Sequence, residues 1–227
     1  MVFATYNIHR CIGRDGQNAA RIAEVLKELQ ADVIALQEVE TRREGGLDLV
    51  DDFARATGTT GIVGPTILKE DAHYGNALLT RYPVTTHEQI DLSVRGREPR
   101  GALDARLAGP SGKTVHVIAT HLGLQPAERR IQTQRLLSRL AVKDADIVVL
   151  MGDLNEWFLW GEPLRRFRRY FSKTPAPATF PVRFPLFALD RIWVQPRARL
   201  RSLSVHRSHL SLIASDHFPL RATIEES

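Results

Sequence analysis

This 227-residue chain has a single cysteine, Cys11, so no disulfide can form within it. A lone thiol fits a reducing compartment, and Cys11 is expected to pack as a small apolar residue near the first strand. Long apolar runs are missing too: none approaches the ~20 residues a membrane span needs, so no integral membrane segment is expected. No basic stretch followed by an apolar one precedes Val2-Phe3-Ala4-Thr5-Tyr6. Secretion is therefore not expected, and a cytoplasmic location is. The chain also lacks low-complexity tracts and any short internal period, which excludes solenoids and repeat arrays.

What is present is ordinary globular material, 43% hydrophobic and 25% charged. That is enough for one large domain with a buried core over residues 1–227, expected as a monomer. The net charge is +5, and much of the excess comes from arginines between Glu162 and Arg207. Apolar residues at Leu164, Phe167, Tyr170 and Phe171 recur at helical spacing with arginines between them. The spacing predicts an amphipathic surface helix with a solvated basic side; contact with nucleic-acid phosphate or anionic lipid headgroups is the alternative.

Periodicity predicts a strand from Val2 to Ile8 and a helix from Asn18 to Gln30 striped by Ile22, Val25, Leu26 and Leu29. A strand Val33 to Gln37, a helix Asp48 to Ala56, and strands near Gly61 to Val63 and Asn76 to Arg81 follow. Gly109-Pro110-Ser111-Gly112 predicts a hairpin between strands Gly101 to Leu107 and Thr114 to His121. Pro126 suits the first position of a helix to about Val142, followed by the apolar run Ile147 to Met151. Strands near Leu189 to Val194, Leu200 to His206 and Phe218 to Ile224 complete the pattern. Mixed helices and strands of this kind give an α/β or α+β domain. The four-proline segment from Thr174 to Pro185 is a candidate substrate-facing loop.

Polar clusters end or follow the apolar runs, where α/β sheets place their chemistry. They are Tyr6-Asn7-Ile8-His9-Arg10, Leu36-Gln37-Glu38-Val39, Thr120-His121-Leu122, Gly152-Asp153-Leu154-Asn155, Leu189-Asp190-Arg191-Ile192 and Ser215-Asp216-His217. In this order they resemble the successive motifs of the endonuclease/exonuclease/phosphatase superfamily, over nearly the whole chain. The segments from Asn7 to Gly16 and Thr179 to Asp190 are similar to those of its compact bacterial metal-dependent hydrolases. The resemblance implies a four-layer αββα sandwich: two mainly antiparallel sheets face to face, helices outside, and the active site where the sheet edges open.

It also implies a Mg²⁺-dependent hydrolase of phosphate esters, with Mn²⁺ able to substitute. Glu38 is a hard oxygen ligand suited to Mg²⁺, with Asn7 and Asp216 as further candidates for the metal. His217 is the expected general base, with Asp190 accepting its other ring N–H. Asp153 would orient the water or protonate the leaving oxygen, Asn155 would donate to the transition state, and His121 would contact a nonbridging or leaving oxygen. Arg100 resembles a phosphate-binding arginine of some members, and Asn76 would support the site from behind. Repair nucleases of the superfamily carry an Asp where His9 stands, so His9 is expected to touch substrate instead.

The expected reaction is one-step, in-line attack of activated water on a phosphodiester. A nuclease-type or nucleotide-linked substrate follows from the basic charge. Lipid or small-molecule phosphate headgroups are the alternative, because the chain lacks the aromatic and basic insertion of abasic-site nucleases. Trp157, Phe158 and Trp160 are expected to pack under the following helix rather than wall a lipid or base. A noncatalytic binding module is a third reading.

Overall fold

The computed structural model describes residues 1–42, 48–68, 72–142 and 144–226. Strand β1 (Val2–Asn7) leads through the short β2 (Ile12–Gly13) and β3 (Gly16–Gln17) to α1 (Ala19–Leu29), β4 (Val33–Arg42) and α2 (Leu49–Thr57). Then come β5 (Thr60–Leu68), β6 (Ala72–Thr80), β7 (Val84–Asp91), β8 (Gly101–Ala108), β9 (Thr114–His121) and α3 (Pro126–Leu140). β10 (Ile147–Asp153), α4 (Glu162–Phe171), β11 (Asp190–Gln195), β12 (Leu200–Val205), α5 (Ser211–Ala214) and β13 (Leu220–Ile224) finish the chain. Among the described residues, no helix is long and apolar enough to cross a membrane.

One sheet has the order β12-β13-β1-β4-β6-β5, and a second has β11-β10-β9-β8-β7. Their inner faces meet in a core built from Phe3, Val33, Ala35 and Leu78 on one side and Val117, Ala119, Val149, Met151 and Ile192 on the other. On the outer face of the first sheet, Ala4, Tyr6, Ile34 and Leu36 pack under the apolar stripes of α1 and α2. On the outer face of the second, Ile118, Leu150 and Trp193 pack under α3 and α4. The four layers follow from strict alternation, since each of these strands is apolar on both faces and must be covered twice.

Local signals set the helix ends. Asn18 caps α1 by accepting the Arg21 N–H at 2.9 Å, and Asp48 caps α2 by accepting from Val50 at 2.9 Å. Pro126 opens α3, where Glu128 accepts the Gln125 N–H at 2.8 Å.

Two expectations need correction. β4, β5 and β6 run well past the limits expected from their apolar segments, because their outer ends pair beyond the core. β7, a full strand, was not expected: Val84-Thr85-Thr86-His87-Glu88-Gln89-Ile90-Asp91 is an edge strand exposed along most of its length, so no buried face imposes alternation on it.

Candidate functional site

Alternation that fills the core also builds the site. Phe3, Thr5 and Asn7 share one face of β1, as Val149, Met151 and Asp153 do on β10, Val117, Ala119 and His121 on β9, and Ile192 and Asp190 on β11. β1 is parallel to β4 with Asn7 beside Gln37, and β9 is parallel to β10 with His121 beside Asp153. β11 runs antiparallel, so its first residue, Asp190, also falls beside Asp153. Polar side chains thus occupy the inward positions at one end of the sandwich, closing β1, β9 and β10 and opening β11.

Two backbone features aim the remaining groups. In β4 the register with β6 shifts between Leu36 and Val39, so Gln37 and Glu38 together face Asn76 across a bulge, and Glu38 has φ of 57°. On β10, Gly152 has φ of 144°, and a Cβ there would lie 1.8 Å from the Thr120 carbonyl oxygen. Only glycine lets the two strands approach this closely just before Asp153.

Asn7 bridges the sheets: its Nδ2 donates to Glu38 Oε1 and to Asp153 Oδ2, both at 3.1 Å. Its backbone carbonyl accepts from Ser215 Oγ at 2.7 Å, which ties β1 to the Ser215-Asp216-His217 turn. Asp190 Oδ2 accepts from His217 Nδ1 at 2.8 Å and from Thr179 Oγ1 at 2.6 Å. His217 Nε2 lies 3.8 Å from Asp153 Oδ2. Burial alone would depress His217, but the carboxylates of Asp190, Asp153 and Asp216 outweigh it and push its pKa up to about 10.

His121 is driven the opposite way, to about 3, by burial and then by the Arg100 charge. Arg100 Nη1 lies 3.0 Å from His121 Nδ1. Asn155 Nδ2, likewise a donor, lies 2.9 Å from His121 Nε2. The same Nε2 faces Asp153 Oδ2 at 3.6 Å. Asn155, at φ 49°, is held by its amide donating to the Leu122 carbonyl at 2.9 Å and its backbone N–H donating to Asp153 Oδ1 at 2.8 Å.

A His with a depressed folded pKa takes up its proton on unfolding, so its contribution to stability is complete above about pH 6.5 and is lost as pH falls towards 3. His121→Asn is expected to flatten the fall in stability between pH 6.5 and 4 by up to about 1 kcal/mol per pH unit, measured by urea unfolding. An unchanged slope would mean that His121 is not the buried neutral group described here.

Not every expected residue converges. Arg100 is buried and committed to His121 and, at 3.3 Å, to Glu98, so it meets the site through the imidazole. Asn76 donates to the Gly101 carbonyl at 2.9 Å, bracing β8 next to Arg100. His9 and Asp216 are half-exposed, with Nδ1 of His9 3.8 Å from Asp216 Oδ1, on the wall of a cleft beside the site. Trp157, Phe158 and Trp160 do not pack under α4. They are exposed, and Trp157 instead meets Phe180 and Phe187 edge to face, at centroid distances of 5.7 and 4.9 Å.

Sequence reasoning missed Thr179, hidden in the proline-rich segment, and the buried pair Arg129–Glu156. Arg129 Nε donates to Glu156 at 3.2 Å while Nη1 donates to the Leu124 carbonyl at 2.6 Å. The pair joins the loop after His121 to the loop after Asn155. A polar residue directly after Gly-Asp-x-Asn was the available signal.

Two donor sets could hold a cation. Asp153, Asp190 and His217 offer ligand atoms within 4.8 Å of one another. Asp190 Oδ2, however, is engaged by His217 and Thr179 in full burial. The second centres on Glu38, a half-exposed carboxylate that Asn7 Nδ2 joins to Asp153 by donating to both, while Asp216, also half-exposed, faces His9. This second set is all oxygen, open to water and poor in carboxylates, which fits Mg²⁺.

Comparison with known proteins agrees with this architecture. The Endonuclease/Exonuclease/phosphatase family profile matches residues 4–217. The protein of Escherichia coli (strain K12) named "Uncharacterized protein YbhP" is 32% identical over 242 residues, spanning 97% of this chain and 94% of its own. Among solved structures, mannosyl-6-phosphatase Bt3783 of Bacteroides thetaiotaomicron VPI-5482 superposes with a TM-score of 0.77 at 18% identity over 100% of both chains. The human Nocturnin catalytic domain superposes at 0.73 and 20% identity, over 98% of this chain and 93% of its own. The chain is a member of the endonuclease/exonuclease/phosphatase family, whose members are hydrolases acting on phosphate esters.

Proposed function

We propose that this chain, as one domain over residues 1–227, is a Mg²⁺-dependent phosphodiesterase that attacks phosphorus in line with an activated water and forms no covalent intermediate. The observation that carries the reading is the Asp190–His217 pair, with Nε2 of His217 turned to Asp153. Asp190 fixes the tautomer and stabilises the imidazolium, and Nε2 takes the proton from water. Asp153, held by Asn7, orients that water or returns a proton to the leaving oxygen. His121 and the Asn155 amide stabilise charge on the phosphoryl oxygens. Glu38, Asn7 and Asp216 would hold the cation. Mn²⁺ should serve as well. When bound, the cation supplies positive charge to a nonbridging oxygen and offsets the negative field that keeps His217 protonated.

Asn7 fixes Glu38 in place, and His9 lies where it can touch the substrate. Of the two substrate classes, the exposed apolar side chains around the site favour lipid or small-molecule phosphodiesters over nuclease-type or nucleotide-linked ones. The test is turnover of bis(4-nitrophenyl) phosphate with Mg²⁺, set beside supercoiled plasmid. The reading expects diester cleavage with the plasmid intact. Rapid plasmid nicking would instead make the enzyme a nuclease, and inertness towards every phosphodiester tried would remove the phosphodiesterase reading.

A further inference from the structure

Nine of the thirteen large apolar side chains exposed among the described residues lie at the end of the sandwich that carries the candidate site. They are Ile12, Leu124, the run Trp157 to Trp160, Phe184, Leu186 and Leu212. Exposed apolar residues scattered singly need no explanation, but those on the Trp157 loop and the neighbouring hairpin make contact with one another. Trp157 meets Phe180 and Phe187 edge to face, Phe158 stacks on Trp160 at 5.2 Å, and Phe180 lies 4.7 Å from the His217 ring. The small hairpin, closed by the pairing of Phe180 with Phe187, carries Phe184 and Leu186 at its tip, 76% and 74% exposed. Trp160, on the neighbouring loop, is 69% exposed.

Among the described residues at this end, most exposed charges are positive. Arg10, Arg14, Arg95, Arg97, Arg183 and Arg207 are exposed on the loops there, against Asp15 and Glu98, with Glu38 and Asp216 half-exposed at the site. A cleft of about 840 Å³ runs beside the site, and its walls include His9 and Asp216, the arginines Arg14 and Arg183, and the apolar Phe184 and Leu212.

We propose that this end of the molecule docks on the surface of an anionic phospholipid bilayer, so that the phosphodiester it takes belongs to a membrane lipid. The proposal rests on the phosphodiesterase reading and names its substrate class. Tryptophan and phenylalanine suit the boundary between headgroup and acyl chain, and the leucines beside them have no π-face on which a base could stack. Exposed arginines match anionic headgroups. The cleft brings a candidate metal-binding carboxylate, two arginines and an apolar wall into one space, as a lipid phosphodiester with its first acyl carbons would require.

The experiment uses the full chain and vesicles of phosphatidylglycerol and phosphatidylcholine in equal parts, read by co-sedimentation. Trp160 and Leu186 lie outside both the cleft and the catalytic groups. Wild type should sediment with these vesicles and bind pure phosphatidylcholine far less. Trp160→Ser/Leu186→Ser should weaken binding by about tenfold or more and lower vesicle hydrolysis in parallel. Turnover of bis(4-nitrophenyl) phosphate should stay within about twofold, which also reports that the variant is folded. Wild type remaining in the supernatant would overturn the proposal while leaving the soluble-diester reaction standing. So would a dimer by light scattering that dissociates in the double variant, or loss of binding to single-stranded DNA in that variant with no vesicle binding by wild type. Loss of soluble-diester turnover in wild type would overturn the phosphodiesterase reading alone, because sedimentation needs no turnover.

Discussion

His217→Ala is expected to cut metal-dependent turnover of a soluble diester by about 10²–10⁴-fold, the range that a positioned acid–base group supplies. The loss should appear in kcat, with KM little changed, because the imidazole acts on the water and not on substrate binding. The side chain is buried against Phe180 and Asp190, so the variant also leaves the Asp190 carboxylate without its ring partner. Asp190→Asn is the sharper companion: it keeps the shape, removes the charge that fixes the tautomer, and should lose about 10²-fold. Thr179 still donates to position 190, which keeps the side chain in place. Near-full activity in His217→Ala would assign the proton transfer to another group, and Asp153 would be the first to examine.

The second large effect concerns Glu38. EDTA is expected to abolish turnover, and Mg²⁺ or Mn²⁺ to restore it. Glu38→Ala should raise the Mg²⁺ concentration needed for half-maximal rate by at least about 10²-fold. The backbone at this position is left-handed and sits in a bulge, so the substitution tests the carboxylate on a main chain already committed to its direction. Asn7 would lose one of its two carboxylate acceptors but keep Asp153. A Glu38→Ala protein with wild-type Mg²⁺ dependence would move the cation to the Asp153–Asp190–His217 cluster.

Apolar runs expose the core strands because these bury both faces, and give an α/β or α+β domain, but the four layers come from the family resemblance alone. The same runs expose the site's end of the sandwich because they stop at Asn7, His121 and Asp153. The motif order carries the family. Contacts between segments distant in the chain could not be read. Nothing near Arg100 announces that it will spend a guanidinium on His121 Nδ1, or that burial together with this charge will keep the His neutral. Thr179 lies among prolines, where no periodicity operates, yet it donates to the carboxylate behind His217. Trp157, Phe158 and Trp160 look like core because aromatic residues usually are, whereas here the edge-to-face partners of Trp157 come from the hairpin 180–187 and the loop stays outside the helix. Edge strand β7 escapes because exposure frees it from any pattern.

The central claim is that one water, activated beside His217, displaces the leaving oxygen directly. Hydrolysis of a chiral phosphorothioate diester in ¹⁸O-labelled water tests it most directly. A single in-line step predicts inversion at phosphorus with one ¹⁸O in the product; retention of configuration, or no metal-dependent turnover at all, would contradict it.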